Sequence, residues 1–248
     1  LTDGTMKPFS PAYIILNKIP WNYDPTAYDK ATDEMLDRIT CGNKDIRALL
    51  EEMTGYCFYR SDKYRKSFIL TGKGKNGKST FLKMLRFALD KYSNNNVSSL
   101  SLQDLGDRFS TVQLYEKLAN IGDDIPNSEF SGFGLSIFKK VVSGETMKVE
   151  YKGKDAFNMK PYAKQIFAAN RIPNFKASDL VAIRDRLIII PFNARFDKSE
   201  GKVFNPNIMT DLMTQPAIEY LIRLGVEGLK RVIDNQGFTE ADASEKEL

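Results

Sequence analysis

The sequence has 248 residues, of which 42% are hydrophobic and 27% are charged, as in an ordinary globular protein and unlike a disordered or collagen-like chain. Its 36 Lys and Arg residues against 32 Asp and Glu residues give a net charge of +4, which neither requires nor excludes a nucleic-acid partner. The absence of histidine excludes imidazole chemistry, and two cysteines, both expected to be buried thiols, are too few for a disulfide framework or a cysteine-only zinc site.

Residues 1–65 are predicted to form an accessory helical segment. Prolines are frequent between Pro8 and Pro25, and they disfavour long helices in that part. Apolar residues then recur at helical spacing in two groups, the first after Thr32 and the second after Asp45. We therefore expect two helices within residues 30–57.

Residues 66–197 are predicted to form the α/β core of the protein. The first strand of this part is followed by a glycine-rich turn and a helix from Ser79 to about Lys91. Continuous apolar strands separated by helical stretches are typical of a parallel sheet that is covered on both faces. The five expected strands are Ser67–Thr71, Val97–Leu100, Leu118–Ile121, Gln165–Ala169 and Arg186–Pro191.

Two further patterns complete the predicted architecture. Between the third and fourth strands, apolar and polar residues alternate on both sides of Gly153, which predicts a β-hairpin over Met147–Met159. Residues 198–248 are predicted to be a C-terminal helical segment, with helical spacing from Pro216 to Gly237. The acidic tail that begins at Glu240 is expected to be frayed.

The strongest motif is Gly72-Lys73-Gly74-Lys75-Asn76-Gly77-Lys78-Ser79, which fits the phosphate-binding pattern G-x-x-x-x-G-K-[ST] between a predicted strand and a predicted helix. Glycines let backbone N–H groups wrap around phosphate oxygens, and the helix N-terminus favours an anion. Lys78 is expected to reach the β- and γ-phosphates of ATP, and Ser79 to offer its hydroxyl to Mg²⁺. The residues expected to bind the nucleotide are Gly72, Gly74, Lys75, Asn76, Gly77, Lys78, Ser79 and Thr80.

Polar residues follow two of the predicted strands. Asp123 and Asp124 follow the third strand, and in P-loop NTPases the first acid of such a pair holds Mg²⁺ through water while the second polarises the attacking water. The same pair also suits a helix cap or a turn. Asn170 follows the fourth strand, where an amide would orient the lytic water or sense the γ-phosphate, although asparagine is also a common turn residue.

Taken in order, the phosphate-binding loop, the aspartate pair, the hairpin, the strand-end asparagine and the arginines before the fifth strand resemble superfamily 3 helicases of the AAA+ class. The resemblance is to the C-terminal helicase part of phage- and mobile-element-type primase-helicases, and any primase domain is expected to precede Leu1. The segments around Trp21 and Tyr56 and the stretch Gly225–Lys230 also match, so the resemblance covers nearly the whole chain. The matching core stretches are Phe68–Thr80, Leu118–Asp124, Val142–Met159, Phe167–Pro173 and Arg184–Phe192.

The resemblance implies a role for each motif around the nucleotide. Lys78 and Ser79 would bind phosphate and Mg²⁺. Asp123 and Asp124 would be the Walker B acids, with Asp123 on Mg²⁺, although members of the family often have glutamate in the second position. Asn170 would be the sensor of motif C.

The resemblance also implies a ring-shaped homo-oligomer, expected to be a hexamer, in which Arg186 would be the arginine finger that reaches the ATP of the neighbouring subunit. Arg184 is the rival for that role, and an ion pair that supports the fold is the other interpretation of Arg186. The hairpin would enter the central channel of the ring, where Lys152 and Lys154 would meet DNA phosphates. Independently of the resemblance, these lysines and Lys148 suit sequence-independent phosphate contacts, although a solvated strand edge carries similar charges.

These patterns predict an ATP- and Mg²⁺-dependent DNA helicase motor for replication of a phage or mobile element, acting on single-stranded or forked DNA. One alternative is a non-unwinding AAA+ ATPase that binds origin DNA or loads another helicase. Another is a P-loop small-molecule kinase, which neither the aspartate pair nor the lysine hairpin favours. Because no apolar run approaches about 18 residues and no secretory signal is recognisable, we expect no membrane partner and a cytoplasmic location, that of a bacterial host if a phage or mobile element encodes the protein.

Overall fold

The structure, a computed structural model, describes residues 7–8, 10–12, 15–91, 95–122, 130–197 and 205–245. Short 3₁₀ turns occur at Asp104–Gly106, Thr111–Leu114 and Ala177–Asp179. The helices and strands, in chain order, are α1 (Lys30–Ile39), α2 (Lys44–Tyr56), β1 (Ser67–Thr71), α3 (Lys78–Leu89), β2 (Val97–Ser98), β3 (Ala119–Gly122), α4 (Gly132–Val142), β4 (Met147–Val149), β5 (Phe157–Met159), β6 (Lys164–Ala169), α5 (Leu180–Arg184), β7 (Leu187–Pro191), α6 (Ile208–Leu212), α7 (Gln215–Asp234) and α8 (Asp242–Glu245).

Within the described residues, five strands form a parallel sheet in the order β2-β3-β6-β1-β7. Leu70 in β1 lies opposite Ala168 of β6 on one side and Ile190 of β7 on the other. Strands β1, β6 and β7 are buried along their whole length, which explains the apolar runs in these strands, although β6 begins with the buried polar residues Lys164 and Gln165. The predicted α/β fold, a parallel sheet flanked by helices, is confirmed.

Alternate side chains of the sheet enter two separate hydrophobic cores, because successive residues of a strand point to opposite faces. Phe68 and Leu70 belong to the core formed with α2, α3 and α7. Ile69 belongs to the other core, which contains α4 and the β4–β5 hairpin. Both faces of the sheet are therefore covered, and the ends of its strands are left for loops.

The two helices predicted within residues 30–57 are confirmed, and each begins one or two residues before the residue that its apolar pattern follows, Thr32 or Asp45. The Asp29 carboxylate accepts a hydrogen bond from the Thr32 N–H at 2.8 Å and so caps α1. The Asn43 side-chain oxygen accepts from the N–H groups of Asp45 and Ile46 at 3.0 and 3.1 Å and caps α2. A capping residue lies outside the apolar periodicity, so the periodicity places the start of each helix too late.

The accessory segments before and after the core pack against each other through α2 and α7. Glycines allow the two backbones to approach closely: a Cβ atom added to Gly55 would lie 1.9 Å from the carbonyl oxygen of Gly225. A Cβ atom added to Gly228 would lie 2.6 Å from the carbonyl carbon of Glu51. The N-terminal and C-terminal helices are thus joined in space on one face of the sheet.

The predicted strand Val97–Leu100 is shorter in the structure, where β2 comprises only Val97 and Ser98. The side chain of Asn120 takes over from the strand ladder at this point. Its oxygen accepts from the Leu100 N–H at 2.8 Å, and its nitrogen donates to the Leu100 carbonyl at 3.0 Å. Once a side chain satisfies the backbone groups of Leu100, strand pairing is no longer needed there.

Two predictions about individual segments are wrong. The tail is helical rather than frayed over Asp242–Glu245, where the Ser244 hydroxyl donates to the Ile189 carbonyl of β7 and Ala241 is buried. Cys41 is exposed, whereas Cys57 is buried as expected. Cys41 lies in the tight turn between α1 and α2 with φ of 53°, and this turn places its side chain outside the core.

Candidate functional site

The predicted phosphate-binding loop joins the end of β1 to the start of α3. Gly72 has φ of 146° and Gly77 has φ of 91°, values that favour glycine. A Cβ atom would lie 2.1 Å from the Asn76 side-chain nitrogen if added to Gly72, and 2.5 Å from an Ile39 side-chain carbon if added to Gly77. Gly72 and Gly77 are therefore required by both the backbone conformation and the close contacts of the loop.

Lys78 lies across this loop rather than in solvent. Its side chain is buried, and its Nζ donates to the Gly72 carbonyl at 2.5 Å and to the Asn76 Oδ1 at 3.3 Å. The other end of the Asn76 amide donates to the carbonyl of Phe192, just after β7, at 3.1 Å. Asn76 therefore connects the motif lysine with the chain that leaves the neighbouring strand. Ser79, by contrast, is exposed at the start of α3.

A polar cavity of about 880 Å³ opens where the loop meets the ends of β6 and β7. The chain after β7 is fastened to the loop, because the Phe196 N–H donates to the Lys75 carbonyl at 2.8 Å and the Lys75 ammonium lies 3.1 Å from Asp197. The carboxyl ends of parallel strands converge at this edge, the usual position of a ligand site in an open α/β sheet. The lining side chains that carry charge or an amide are Lys73, Lys75, Asn76, Asn170, Arg171, Asn193, Arg195 and Asp197.

Asn170 lines the same cavity as the loop, and so do two basic residues, Arg171 and Arg195, that the sequence did not single out. Arg171 directly follows the strand-end asparagine, so its position along the chain carried a usable signal. Arg195 lies four residues beyond β7 in an irregular segment, where no periodic pattern could have indicated it. Both arginines are exposed and add positive charge to the cavity.

A second cavity, of about 470 Å³, lies beside the same loop at Gly77 and Thr80. Its wall combines apolar side chains from α1, from α6 and from the segment after β7 with charged ones, among them Glu34, Arg38 and Asp211. No sequence pattern indicates this cavity, because its walls come from segments that are far apart along the chain. The apolar lining includes Ala31, Met35, Ile39, Phe196 and Ile208.

The predicted Walker B acids, Asp123 and Asp124, lie outside the described residues. The strand that precedes them is confirmed, since β3 ends at Gly122, which pairs with Phe167 of β6. Within the described ranges, no group of three or more His, Cys, Asp or Glu side chains is arranged to hold a metal ion.

The two candidate arginine fingers have different surroundings. Arg186 is half-buried: its Nη1 donates to the Ala182 carbonyl at 2.7 Å, and its Nε donates to the Ser143 hydroxyl at 3.3 Å. Arg184 is exposed at the last turn of α5. Within the described ranges, these two neutral acceptors hold the Arg186 guanidinium.

The predicted hairpin is confirmed, with β4 and β5 pairing antiparallel and Lys148 opposite Asn158. Its base is anchored in the second core by Met147, Val149 and Met159, whereas Lys148 and the tip residues Lys152 and Lys154 are exposed. Three lysines therefore lie on the solvent side of a hairpin whose other side is fixed to the core.

None of the helices in the described part of the chain is long and apolar enough to span a membrane. Residues 70–186, a little under half of the chain, match a family of unknown function (DUF5906). Over 159 residues the chain is 24% identical to a protein of Acanthamoeba polyphaga mimivirus named "Putative helicase L207/L206", covering 63% of this chain and 16% of the viral protein.

Two apo structures of the C-terminal region of NrS-1 have a similar fold. One has a TM-score of 0.63 at 16% identity and covers 95% of this chain and 55% of the NrS-1 chain. The other, of residues 305–718, has a TM-score of 0.64 at 16% identity and covers 96% of this chain and 56% of the NrS-1 chain. The chain thus spans about half of the NrS-1 region and a sixth of the viral protein. At these identities, the structural likeness establishes the fold.

Proposed function

We propose that this chain is the ATP-driven motor part of a DNA helicase of the superfamily 3, AAA+ type. The observation that carries the proposal is the glycine loop at the edge of a parallel sheet, which borders two cavities and across which Lys78 donates to Gly72 and Asn76. The similarity to a viral protein named as a helicase supports it. The same proposal includes a core of residues 66–197 between the accessory segments 1–65 and 198–248. It also includes a hexameric ring, single-stranded or forked DNA as the substrate, and a role in phage or mobile-element replication.

The two cavities suit the two ends of a nucleotide. Backbone N–H groups of the loop and the ammonium of Lys78 are donors only, so they suit the oxygens of a polyphosphate in the polar cavity. Lys78 would exchange its contacts with Gly72 and Asn76 for the β- and γ-phosphate oxygens. The nucleobase would lie in the second cavity, against the apolar side chains of Met35 in α1 and of Phe196.

The residues present fit a magnesium ion that is bound mainly through phosphate oxygens and water, the usual manner for Mg²⁺ in nucleotide sites. Ser79 is exposed at the start of α3, where its hydroxyl is available as a ligand. Asp123 would hold the ion through water. When bound, Mg²⁺ would neutralise charge that develops on the phosphates during transfer.

Hydrolysis needs a polarised water and a cation near the γ-phosphate. Asp124 would accept a hydrogen bond from the attacking water and Asn170, which lines the polar cavity, would orient it. The cation supplied by a neighbouring subunit would be Arg186, with Arg184 as its rival. Arg186 is half-buried, and it would have to exchange its contacts with the Ala182 carbonyl and the Ser143 hydroxyl for the γ-phosphate.

The test of nucleotide use is the ATPase rate of Lys78→Ala against a matched lysine variant, Lys83→Ala. Lys83 is exposed on the same helix, α3, and lines neither cavity. Loss of one donor to the transferred group lowers kcat about 10²–10³-fold, so Lys78→Ala should lose at least that much and Lys83→Ala should keep its rate. The ATPase rate of Asp123→Ala should fall as that of Lys78→Ala does. Full turnover in Lys78→Ala would contradict the assignment of the loop.

The arginine is tested by mixing subunits, because a finger acts on the site of its neighbour. Arg186→Ala alone should bind ATP and hydrolyse it poorly, and mixing it with Lys78→Ala should restore part of the rate through interfaces that pair an intact Lys78 with an intact Arg186. The same mixture made with Arg184→Ala provides the comparison. No recovery with either variant, in rings shown to contain both subunits, would argue against a finger in trans.

Strand displacement on forked DNA distinguishes the helicase from a non-unwinding ATPase. The helicase separates the strands when ATP is supplied, and Lys78→Ala abolishes the separation. DNA-stimulated ATP hydrolysis without strand separation would favour the origin-binding or helicase-loading alternative.

A further inference from the structure

The apolar face of the β4–β5 hairpin continues beyond the core and ends in solvent. Met147 and Val149 of this face are buried, and Phe157, which pairs with Val149 across the hairpin, is half-buried. Tyr151 lies two residues after Val149, on the same side by strand alternation, and 43% of it is exposed. The core therefore covers the base of the face and leaves its aromatic end open.

The exposed end of this face is an ordered group of three rings. The Tyr151 ring stacks on the Phe157 ring, with centroids 6.1 Å apart and planes inclined by 27°. Tyr115 meets Phe157 edge-on, with the centroids of these two rings 5.1 Å apart. Tyr115 is itself 39% exposed. We call Tyr115, Tyr151 and Phe157 the hairpin-tip aromatic cluster.

Exposed lysines lie near the Tyr151 end of this cluster, whereas the acid Glu116 lies beside Tyr115. The Lys154 ammonium lies 5.5 Å from the centroid of the Tyr151 ring, and Lys152 and Lys148 are exposed on the same hairpin. Of the hairpin's acidic side chains, Glu150 is paired with Arg108, which leaves Asp155 as the exposed acid at the tip. Aromatic rings between exposed lysines match the two parts of a single strand of nucleic acid, its bases and its phosphates.

We propose that the hairpin-tip aromatic cluster, through Tyr151, is a stacking platform for an unpaired base of single-stranded nucleic acid. The inference rests on the proposed function and deepens it. Lysines alone bind any polyanion, whereas an aromatic ring can stack only on a base that is unpaired. Tyr151 is suited to this role because Phe157 fixes its orientation before the strand arrives, so little conformational freedom is lost on binding. In this proposal the hairpin binds single-stranded nucleic acid rather than a duplex.

The test uses two oligonucleotides of equal length and equal phosphate number, one of deoxythymidine and one abasic throughout. Binding of the full chain to each is measured by fluorescence anisotropy over a range of salt concentrations. Wild-type protein should bind the deoxythymidine strand about 5- to 150-fold more tightly than the abasic strand, the range expected for one stacked base. This comparison needs no mutation, so it does not depend on the folding of a variant.

Three variants then locate the effect. Tyr151→Ala should lose most of the preference for the strand with bases while its salt dependence stays that of the wild type, and Tyr151→Phe, which keeps the ring, should retain the preference. Lys152→Ala/Lys154→Ala should weaken binding to both strands and lower the log–log salt slope by roughly 0.7 for each phosphate that the variant no longer neutralises.

The outcomes separate the inference from the proposed function. Equal binding of both strands by the wild type, with the lysine variant still weakened, overturns the stacking platform and leaves the DNA motor in place. A preference for bases that survives in Tyr151→Ala also overturns the assignment to Tyr151. Binding to neither strand overturns the proposed function itself.

Discussion

Substituting Gly55 by alanine should destabilise the whole protein, because this glycine lies where α2 and α7 approach most closely. The added Cβ would lie 1.9 Å from the carbonyl oxygen of Gly225 and 2.8 Å from the backbone nitrogen of Leu229. An ordinary contact for such atoms is about 3.5 Å, so the two helices would have to separate by roughly 1.6 Å. Since the opposing atoms belong to the backbone, no rotation of a side chain can relieve the overlap.

The expected loss of stability follows from two opposing effects. Overpacking of a close-packed interior costs about 1–3 kcal/mol, and a backbone clash of this size belongs at the upper end or above. Alanine in place of glycine inside a helix returns about 1 kcal/mol. We therefore expect Gly55→Ala to lower the unfolding free energy by about 2 kcal/mol or more, which corresponds to about 4–8 °C in Tm for a chain of this length.

Thermal and urea unfolding followed by circular dichroism would measure this loss. The matched control is Gly237→Ala, since a Cβ atom there has no other atom within 4 Å. Its stability should stay within about 0.5 kcal/mol of the wild type or rise slightly, because alanine restricts the unfolded chain. If Gly55→Ala unfolded at the same temperature as Gly237→Ala, the close approach of the two helices would be refuted.

Three further predictions concern individual polar side chains. Asn76→Ala removes the donor to the Phe192 carbonyl and an acceptor for Lys78. Calorimetric titration should therefore show that the affinity for ATP falls by roughly tenfold. An unchanged affinity would mean that Asn76 does not position the lysine. Hydrogen bonds from Arg47 hold the pKa of Asp33 below its usual value. The stability that these bonds contribute is therefore present above the ordinary carboxyl pKa and is lost as the pH falls through the lower folded-state pKa. Asp33→Asn should be less stable than the wild type at neutral pH, and its unfolding free energy should depend less on pH in the acid range. Burial lowers the pKa of Lys164 to about 8, so above that pH the unfolded chain binds one proton more than the folded chain. The unfolding free energy of the wild type should therefore rise, relative to that of Lys164→Met, as the pH increases from about 8 toward the ordinary lysine pKa. Parallel pH profiles of the unfolding free energy for the two proteins would contradict this.

Much of the architecture could be predicted from the sequence, because the relevant signals are local. The strand β1 was placed at its observed bounds, Ser67–Thr71, by a buried apolar run that ends in glycine-rich sequence. The hairpin followed from alternation around Gly153, and the glycine loop between β1 and α3 followed from its spacing of glycines and Lys78. Each of these patterns is contained in fewer than about twenty consecutive residues, within which backbone conformation and burial are strongly coupled.

Only the tertiary structure decided which distant residues share a site. Phe196 and Met35 line one cavity beside the loop although they lie 161 positions apart, and no periodicity links them. The contacts of Arg186 likewise depend on tertiary structure, because the sequence does not show that the Ser143 hydroxyl, 43 positions away, accepts from its guanidinium. Local sequence determines which elements form, whereas the neighbours of a side chain depend on how the chain closes over long distances, and that closure alone brought these residues together.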